Sequence, residues 1–110
     1  MGPKTSLLCA RLEETILLLE RADEIPWAVW LKESLRSIEK GDISGIEHLL
    51  AAYGGMGSFN DLLIHPANGH RGNDVERAEM NERLAILRSE LYDLGEFIRH
   101  NSEIRRASRS

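Results

Sequence analysis

The feature that most constrains this sequence is a long series of apolar residues near its C-terminus, spaced alternately by four and three positions. The series is Met80, Leu84, Leu87, Leu91, Leu94 and Ile98. This spacing places all of its members on one side of an α-helix, and the pattern continues for nearly three heptads. We therefore predict a last helix from about residue 74 to residue 100, about 40 Å long, whose apolar side must be covered by other helices.

The rest of the chain supplies those other helices. Sixteen Leu stand against two Val and two Thr, so residues that favour strands are scarce. Apolar stripes predict a first helix over residues 4–22, a second that starts at Pro26 and ends at Gly41, and a short third that follows Asp42 and stops at Gly54. We expect an all-α fold, a compact bundle of four to five helices with a long C-terminal helix.

Length and charge limit the domain count and the partners. A chain of 110 residues can bury one core, so we expect a single helical domain at 1–104 and a short basic tail at 105–110. The net charge is −4, and residues 99–110 hold four Arg against one Glu, so the body before them is more acidic still. Nucleic-acid binding needs a basic face, and we therefore expect no nucleic-acid partner.

The single cysteine and the N-terminal segment indicate a location. Cys9 has no second cysteine to pair with, which favours a reducing compartment. The apolar residues after Lys4 do not form a secretion signal, because Arg11 and Glu13 interrupt them too early. We expect a cytoplasmic protein that does not bind a membrane. Cys9 also lies on the apolar stripe of the first helix, where a thiol is usually buried and inert.

The octet GGMGSFND, residues 54–61, departs from these helical patterns. Gly54 follows the third helix directly and predicts a left-handed helix stop. Ser58 stands three residues before Asp61, which predicts a cap on a new short helix. The octet is then a corner between two helices. We expect the three large apolar residues that follow the glycines to face the core; they are Phe59, Leu62 and Leu63.

The same octet is also a candidate anion site. A glycine-rich turn that opens a helix can direct free amide hydrogens towards a phosphate or carboxylate. No strand precedes it and no lysine follows it, so the known nucleotide-binding fingerprints do not apply. The ligand-binding candidates are Gly54, Gly55, Met56, Gly57, Ser58, Asn60 and Asp61.

Three stretches of the sequence resemble a known family. They read PWAVWL, GDISGIEHLL and AYGGMGSFNDLLI, within residues 26–64. They are similar to a family of small bacterial proteins, classed as a domain of unknown function and marked by a GGMGSFND-type motif. The resemblance implies a compact bacterial, cytoplasmic domain. It assigns no catalytic residue.

Residues on both sides of the following loop could supply acid, base or metal chemistry. Asp61, His65 and His70 are the candidates, but His65 and His70 are five residues apart and match no standard ligand pair on a helix. Pro66 also moves His65 out of helical geometry. We therefore predict no metal, no cofactor and no catalytic residue. His48 lies away from the stripe of its own helix and is expected to be a surface residue.

Two function classes stay open. The first is a protein-interaction module, for which the immunity or antitoxin partner of a basic toxin is an example, since complementary charge speeds encounter. The second is a small enzyme or anion-binding domain that uses residues 54–61 with Asp61, His65 and His70. For the first class, apolar surface outside the main stripes also predicts a homodimer through the last helix. The interaction candidates are Trp27, Trp30, Ile86 and Phe97, together with Met56 in the octet.

Overall fold

The computed structural model describes residues 2–54, 57–101 and 103–104. This part of the chain is 76% helical and contains no strand. Two single-turn 3₁₀ helices, Phe59–Asp61 and Pro66–Asn68, follow the third of its four α-helices. The α-helices are α1 (Pro3–Arg21), α2 (Ile25–Glu39), α3 (Ser44–Ala51) and α4 (Asp74–Asn101). The predicted all-α bundle with a long C-terminal helix is confirmed, whereas the predicted tail at 105–110 lies outside the described residues.

The helix ends follow the capping residues of the sequence. Gly41 has a φ of +75° and ends α2, and the Asp42 carboxylate accepts a hydrogen bond from the Ser44 amide at 2.9 Å, at the start of α3. At the start of α4, the Asn73 side chain accepts from the Glu76 amide at 2.8 Å and the Glu76 carboxylate accepts from the Asn73 amide at 2.9 Å. Such a reciprocal pair satisfies two amides that the helix leaves open.

The four helices surround one core. α1 packs against α2 and α4, α2 also packs against α3, and α3 closes the ring against α4. Every member of the predicted α4 stripe is buried except Leu94, which is half-buried against the core. Cys9 is buried as well. The four-three pattern therefore predicts the buried side of α4 correctly.

Polar pairs fix the direction of α1 against α4. The Arg83 guanidinium donates twice to the Glu14 carboxylate, at 2.6 and 2.9 Å, and Arg11 reaches Glu90 at 3.4 Å. Residue numbers rise along α1 while they fall along α4, so the two helices are antiparallel. Residues on the side of α4 opposite its buried stripe, such as Glu82, are exposed.

Close packing of α3 against α2 depends on Gly45. A Cβ atom at this position would lie 2.8 Å from the Ser34 carbonyl oxygen and 2.8 Å from the Ile38 backbone nitrogen. Only glycine fits so close to a neighbouring backbone. The GDISG stretch thus sets how near α3 approaches α2.

A transmembrane helix needs a certain length and hydropathy. In the described ranges, no helix is both long enough and apolar enough to cross a bilayer.

Candidate functional site

The glycine turn, residues 54–61, forms a corner between α3 and the first 3₁₀ helix. Ser58 Oγ accepts a hydrogen bond from the Asn60 amide at 3.3 Å, and Asp61 Oδ2 accepts from the Gly57 amide at 3.0 Å. The predicted cap by Ser58 and Asp61 is confirmed. Gly57 is left-handed, with a φ of +77°, whereas Gly54 is not, so the predicted left-handed stop at Gly54 is wrong. The αR geometry of α3 continues through Ala52.

Four amides of this turn donate hydrogen bonds within the protein. Besides the two amides above, Phe59 donates to the Ala52 carbonyl and Asp61 donates to the Ser58 carbonyl, each at 3.0 Å. The Asp61 carboxylate takes the position at Gly57 where an external anion would bind. These four amides therefore do not form an anion cradle. Gly55 and Met56 lie outside the described residues.

Phe59 connects the turn to the helices on both sides. It is fully buried, and its ring centroid lies 5.4 Å from that of Trp27 and 5.7 Å from that of Tyr53. Tyr53 in turn contacts Tyr92 of α4 edge-on at 5.2 Å. These edge-on and tilted contacts are favourable for aromatic rings. The aromatic residues therefore form a chain from α2 through the turn to α4.

Trp30 and His48 form a second aromatic contact between α2 and α3. The two rings stack at 4.0 Å with an interplanar angle of 18°. Trp30 Nε1 donates to the His48 carbonyl at 3.0 Å, and His48 Nδ1 lies 2.7 Å from Ser34 Oγ. The expectation that His48 is a plain surface residue is wrong. The apolar stripe of α3 alone does not show which of its other residues contact a neighbouring helix. The interaction candidates Trp27 and Trp30 are both half-buried against the core.

Arg88 holds the turn against α4. Its Nη1 donates to the carbonyls of Phe59 at 3.2 Å and Leu62 at 2.6 Å. Tyr53 donates its hydroxyl to the Arg88 carbonyl at 2.7 Å. Burial raises the pKa of the Tyr53 hydroxyl far above its ordinary value, so the hydroxyl stays a donor. Sequence reasoning missed Arg88, since an arginine beside an apolar stripe resembles any solvated residue.

A cavity of about 340 Å³ opens between the turn and α4. We call it the tyrosine cavity. Every residue that lines it carries a polar side-chain atom. The lining residues are Tyr53, Asn60, Arg88, Ser89, Tyr92 and Asp93. Of the ligand-binding candidates in the octet, Asn60 faces this cavity.

A second groove of about 380 Å³ lies on the other side of the turn. It brings together Gly57, Ser58 and Asp61 of the octet with Trp27 of α2. Leu63 lines the groove and is 52% exposed, so the prediction that it faces the core is wrong. The 3₁₀ turn ends at Asp61, and the extended backbone after it directs successive side chains to opposite sides.

His70 and His65 do not form a shared site. His70 is 5% exposed, and its Nε2 lies 2.8 Å from the Glu24 carboxylate while its Nδ1 accepts from the His65 amide at 2.9 Å. The His65 ring instead accepts from the Ala67 amide at 3.0 Å. Both rings thus tie the loop to itself and to the start of α2. Within the described residues, no three His, Cys, Asp or Glu side chains come together as metal ligands.

The thiol of Cys9 lies in a setting that disfavours its reactive form. Burial, followed by the negative charges of Glu39 and Glu13, raises the pKa of Cys9. A thiol with a raised pKa holds little thiolate at neutral pH. This agrees with the expectation of an inert, buried residue.

The outer face of α4 carries two exposed apolar side chains among acids. Ile86 is 48% exposed and Phe97 is 42% exposed. At 100° per residue, both point away from the buried stripe, together with Glu79, Glu82 and Asp93. We call these five residues the outer row. All five are exposed, and none of its three acids has an ion pair within the described part of the chain.

Comparison with known proteins agrees with the predicted resemblance to a domain of unknown function. No curated protein and no solved structure matches this chain. One segment does match a family model. It runs from the end of α1 to the residue before α4, covers just under half of the chain, and includes the glycine turn. Residues 20–73 match the model of a family described as a domain of unknown function, DUF6966.

Proposed function

We propose that this protein is an interaction module whose outer row binds a basic helix of another protein. The observation that carries the proposal is the exposure of Ile86 and Phe97 on the side of α4 away from its buried stripe, where the Lys4 ammonium of α1 lies 5.6 Å from the centre of the Phe97 ring. The two residues are eleven positions apart, about 16 Å along the helix. That distance suits two anchors of one docked helix, since a helix in a groove is held by apolar residues at such intervals.

The charge of the outer row selects the kind of partner. Glu79 and Glu82 precede Ile86 by seven and four positions, and Asp93 precedes Phe97 by four. The row contains no Lys or Arg. Such an acidic surface attracts a basic partner and speeds its association. A bacterial, cytoplasmic immunity or antitoxin protein that neutralises a basic toxin is a module of this kind.

The same charges disfavour the predicted homodimer through α4. A two-fold axis would place the outer row of one chain against the identical row of the other. The antiparallel register that places Ile86 against Ile86 would put Glu79 of one chain opposite Asp93 of the other. Like charges placed together across an interface are unfavourable. We therefore propose a basic partner as the occupant of this face, with self-association as the competing outcome.

Affinity capture from the native host tests the proposal. The bait is the full chain, with the wild type compared to Ile86→Glu/Phe97→Glu and to Glu79→Lys/Glu82→Lys. The matched control is Val29→Glu, because Val29 of α2 is 47% exposed and lies off the outer row. Circular dichroism first confirms that each variant keeps its helicity.

We expect one basic protein to be retained by the wild type and by Val29→Glu. Both outer-row variants should lose it by about ten-fold or more, since truncated or mismatched anchors commonly cost this much. Retention should also fall at about 0.5 M salt, where charge attraction is screened. Equal retention by all variants, or capture of this chain alone, would refute the proposal.

A further inference from the structure

We infer that the tyrosine cavity binds a small zwitterion, a free α-amino acid carrying a carboxylate and an ammonium group. The observation behind this inference is that the cavity is lined by one positive and one negative side chain that do not neutralise each other. They are Arg88 and Asp93, which have no ion pair within the described residues. The inference does not depend on the proposed protein partner.

Arg88 supplies the site for the carboxylate. Its guanidinium is half-buried and is held in place through Nη1 by the carbonyls of Phe59 and Leu62. A guanidinium has five N–H donors in a planar fork, so this anchoring leaves further donors directed along the cavity. Arginine in such a fixed position is the side chain that best matches a carboxylate.

Asp93 supplies the site for the ammonium group. It is five residues after Arg88, and residues five apart on a helix do not face each other, so the two cannot pair directly. They are offset by about 7.5 Å along the axis of α4. An α-amino acid carries both charged groups on one carbon, so its carboxylate can lie against Arg88 and its ammonium group against Asp93 inside the cavity that both residues line.

Tyr53 lines the same cavity as Arg88 and Asp93, and both charges bear on its hydroxyl. The positive charge of Arg88 lowers the pKa of Tyr53 and the negative charge of Asp93 raises it, although burial is the dominant cause of its shift. The carboxylate of a bound zwitterion would lie against Arg88, and its ammonium group would lie against Asp93. Neither charge would then need a partner from the protein.

The other lining residues fit the remainder of an amino acid. Tyr53 and Tyr92 meet edge-on and present ring surface to the cavity. Such rings suit an apolar or aromatic side chain. The Ser89 hydroxyl and the Asn60 side-chain amide also line the cavity, and neither makes a side-chain hydrogen bond within the described part of the chain. They can bind polar atoms of the ligand.

Titration with three related compounds tests the inference. The probes are L-phenylalanine, N-acetyl-L-phenylalanine, which lacks the ammonium group, and L-phenylalaninamide, which lacks the carboxylate. Amide chemical shifts of the full chain are followed by NMR. We expect saturable shifts around residues 53, 60 and 88–93 for L-phenylalanine, and affinity at least about ten-fold weaker for each derivative, since each loses one charge-assisted contact.

Substitutions then assign the charges. Asp93→Asn should weaken L-phenylalanine by about ten-fold while leaving the weak binding of the N-acetyl compound unchanged. Glu82→Gln is the matched control, because it removes the same charge from α4 outside the cavity, and it should change nothing. The inference is overturned by the absence of saturable shifts up to about 10 mM, by shifts that map elsewhere, or by derivatives that bind as tightly as L-phenylalanine.

Discussion

Gly45 shows how one residue can determine the packing of a helix. A Cβ there would meet backbone atoms of Ser34 and Ile38 at 2.8 Å, and backbone inside a helix cannot move aside as a flexible side chain can. We expect Gly45→Ala to lower the free energy of unfolding by about 1–3 kcal/mol or more, the usual cost of overpacking. Urea unfolding followed by circular dichroism measures this loss.

Gly54 provides the control for that substitution. It is exposed, its φ is not in the left-handed region, and a Cβ there would come no nearer than 3.7 Å to the Ala51 carbonyl oxygen. We expect Gly54→Ala to change stability by no more than about 0.5 kcal/mol. If the two substitutions cost the same, the close approach at Gly45 is not what sets the α2–α3 packing.

The residues that sequence reasoning placed correctly act on near neighbours in the chain. Ser58 and Asp61 cap amides within four positions, so their spacing alone predicts their role. The left-handed glycine could not be chosen in this way, because Gly54 and Gly57 both permit that conformation and the packing around the turn decides between them. Arg88 reaches carbonyls 26 and 29 residues away, and its neighbours in sequence gave no sign of this.

At the scale of elements, the α1–α4 pairing depends in part on an ion pair that titrates. The hydrogen bonds from Arg83 lower the pKa of Glu14 below its ordinary value of 4.5. The pair therefore stabilises the fold above that value, and its contribution is lost as pH falls through the lower folded pKa. Because both side chains are well exposed, we expect Arg83→Gln to lower the stability only slightly at neutral pH.

Unfolding measured across pH checks this dependence. The stability difference between wild type and Arg83→Gln should be full above about pH 5 and should shrink as the pH falls below 4.5 and then through the lower folded pKa of Glu14. Arg36→Gln is the control, since Arg36 is exposed and has no ion pair within the described residues. A difference that persists undiminished in acid would show that Arg83 acts through packing of its aliphatic stem and not through Glu14.

The elements themselves were predictable wherever one apolar stripe was long. The four-three series defined α4 almost to its ends, because a run of that length is compatible only with a helix. The region between α3 and α4 was less predictable. The contacts of Phe59 and the burial of His70 against Glu24 depend on residues from other helices. The periodicity of a single segment does not indicate such contacts.

At the scale of the whole molecule, α4 presents two surfaces of different chemistry. One flank lines the tyrosine cavity with the glycine turn, and the outer row faces solvent with two apolar anchors among acids. Asp93 belongs to both, so a ligand in the cavity would neutralise part of the row. Glu79, Glu82, Ile86 and Phe97 belong to the row alone and distinguish the proposed protein interaction from ligand binding.

Crosslinking in the living native host tests whether a basic protein binds the outer row. A photoreactive benzoylphenylalanine is placed at position 86, and separately at position 29 as an equally exposed control on α2. We expect a crosslinked product with a different, basic protein at position 86 and none at position 29. The absence of any crosslink at position 86, or a product containing only two copies of this 12.4 kDa chain, would contradict it.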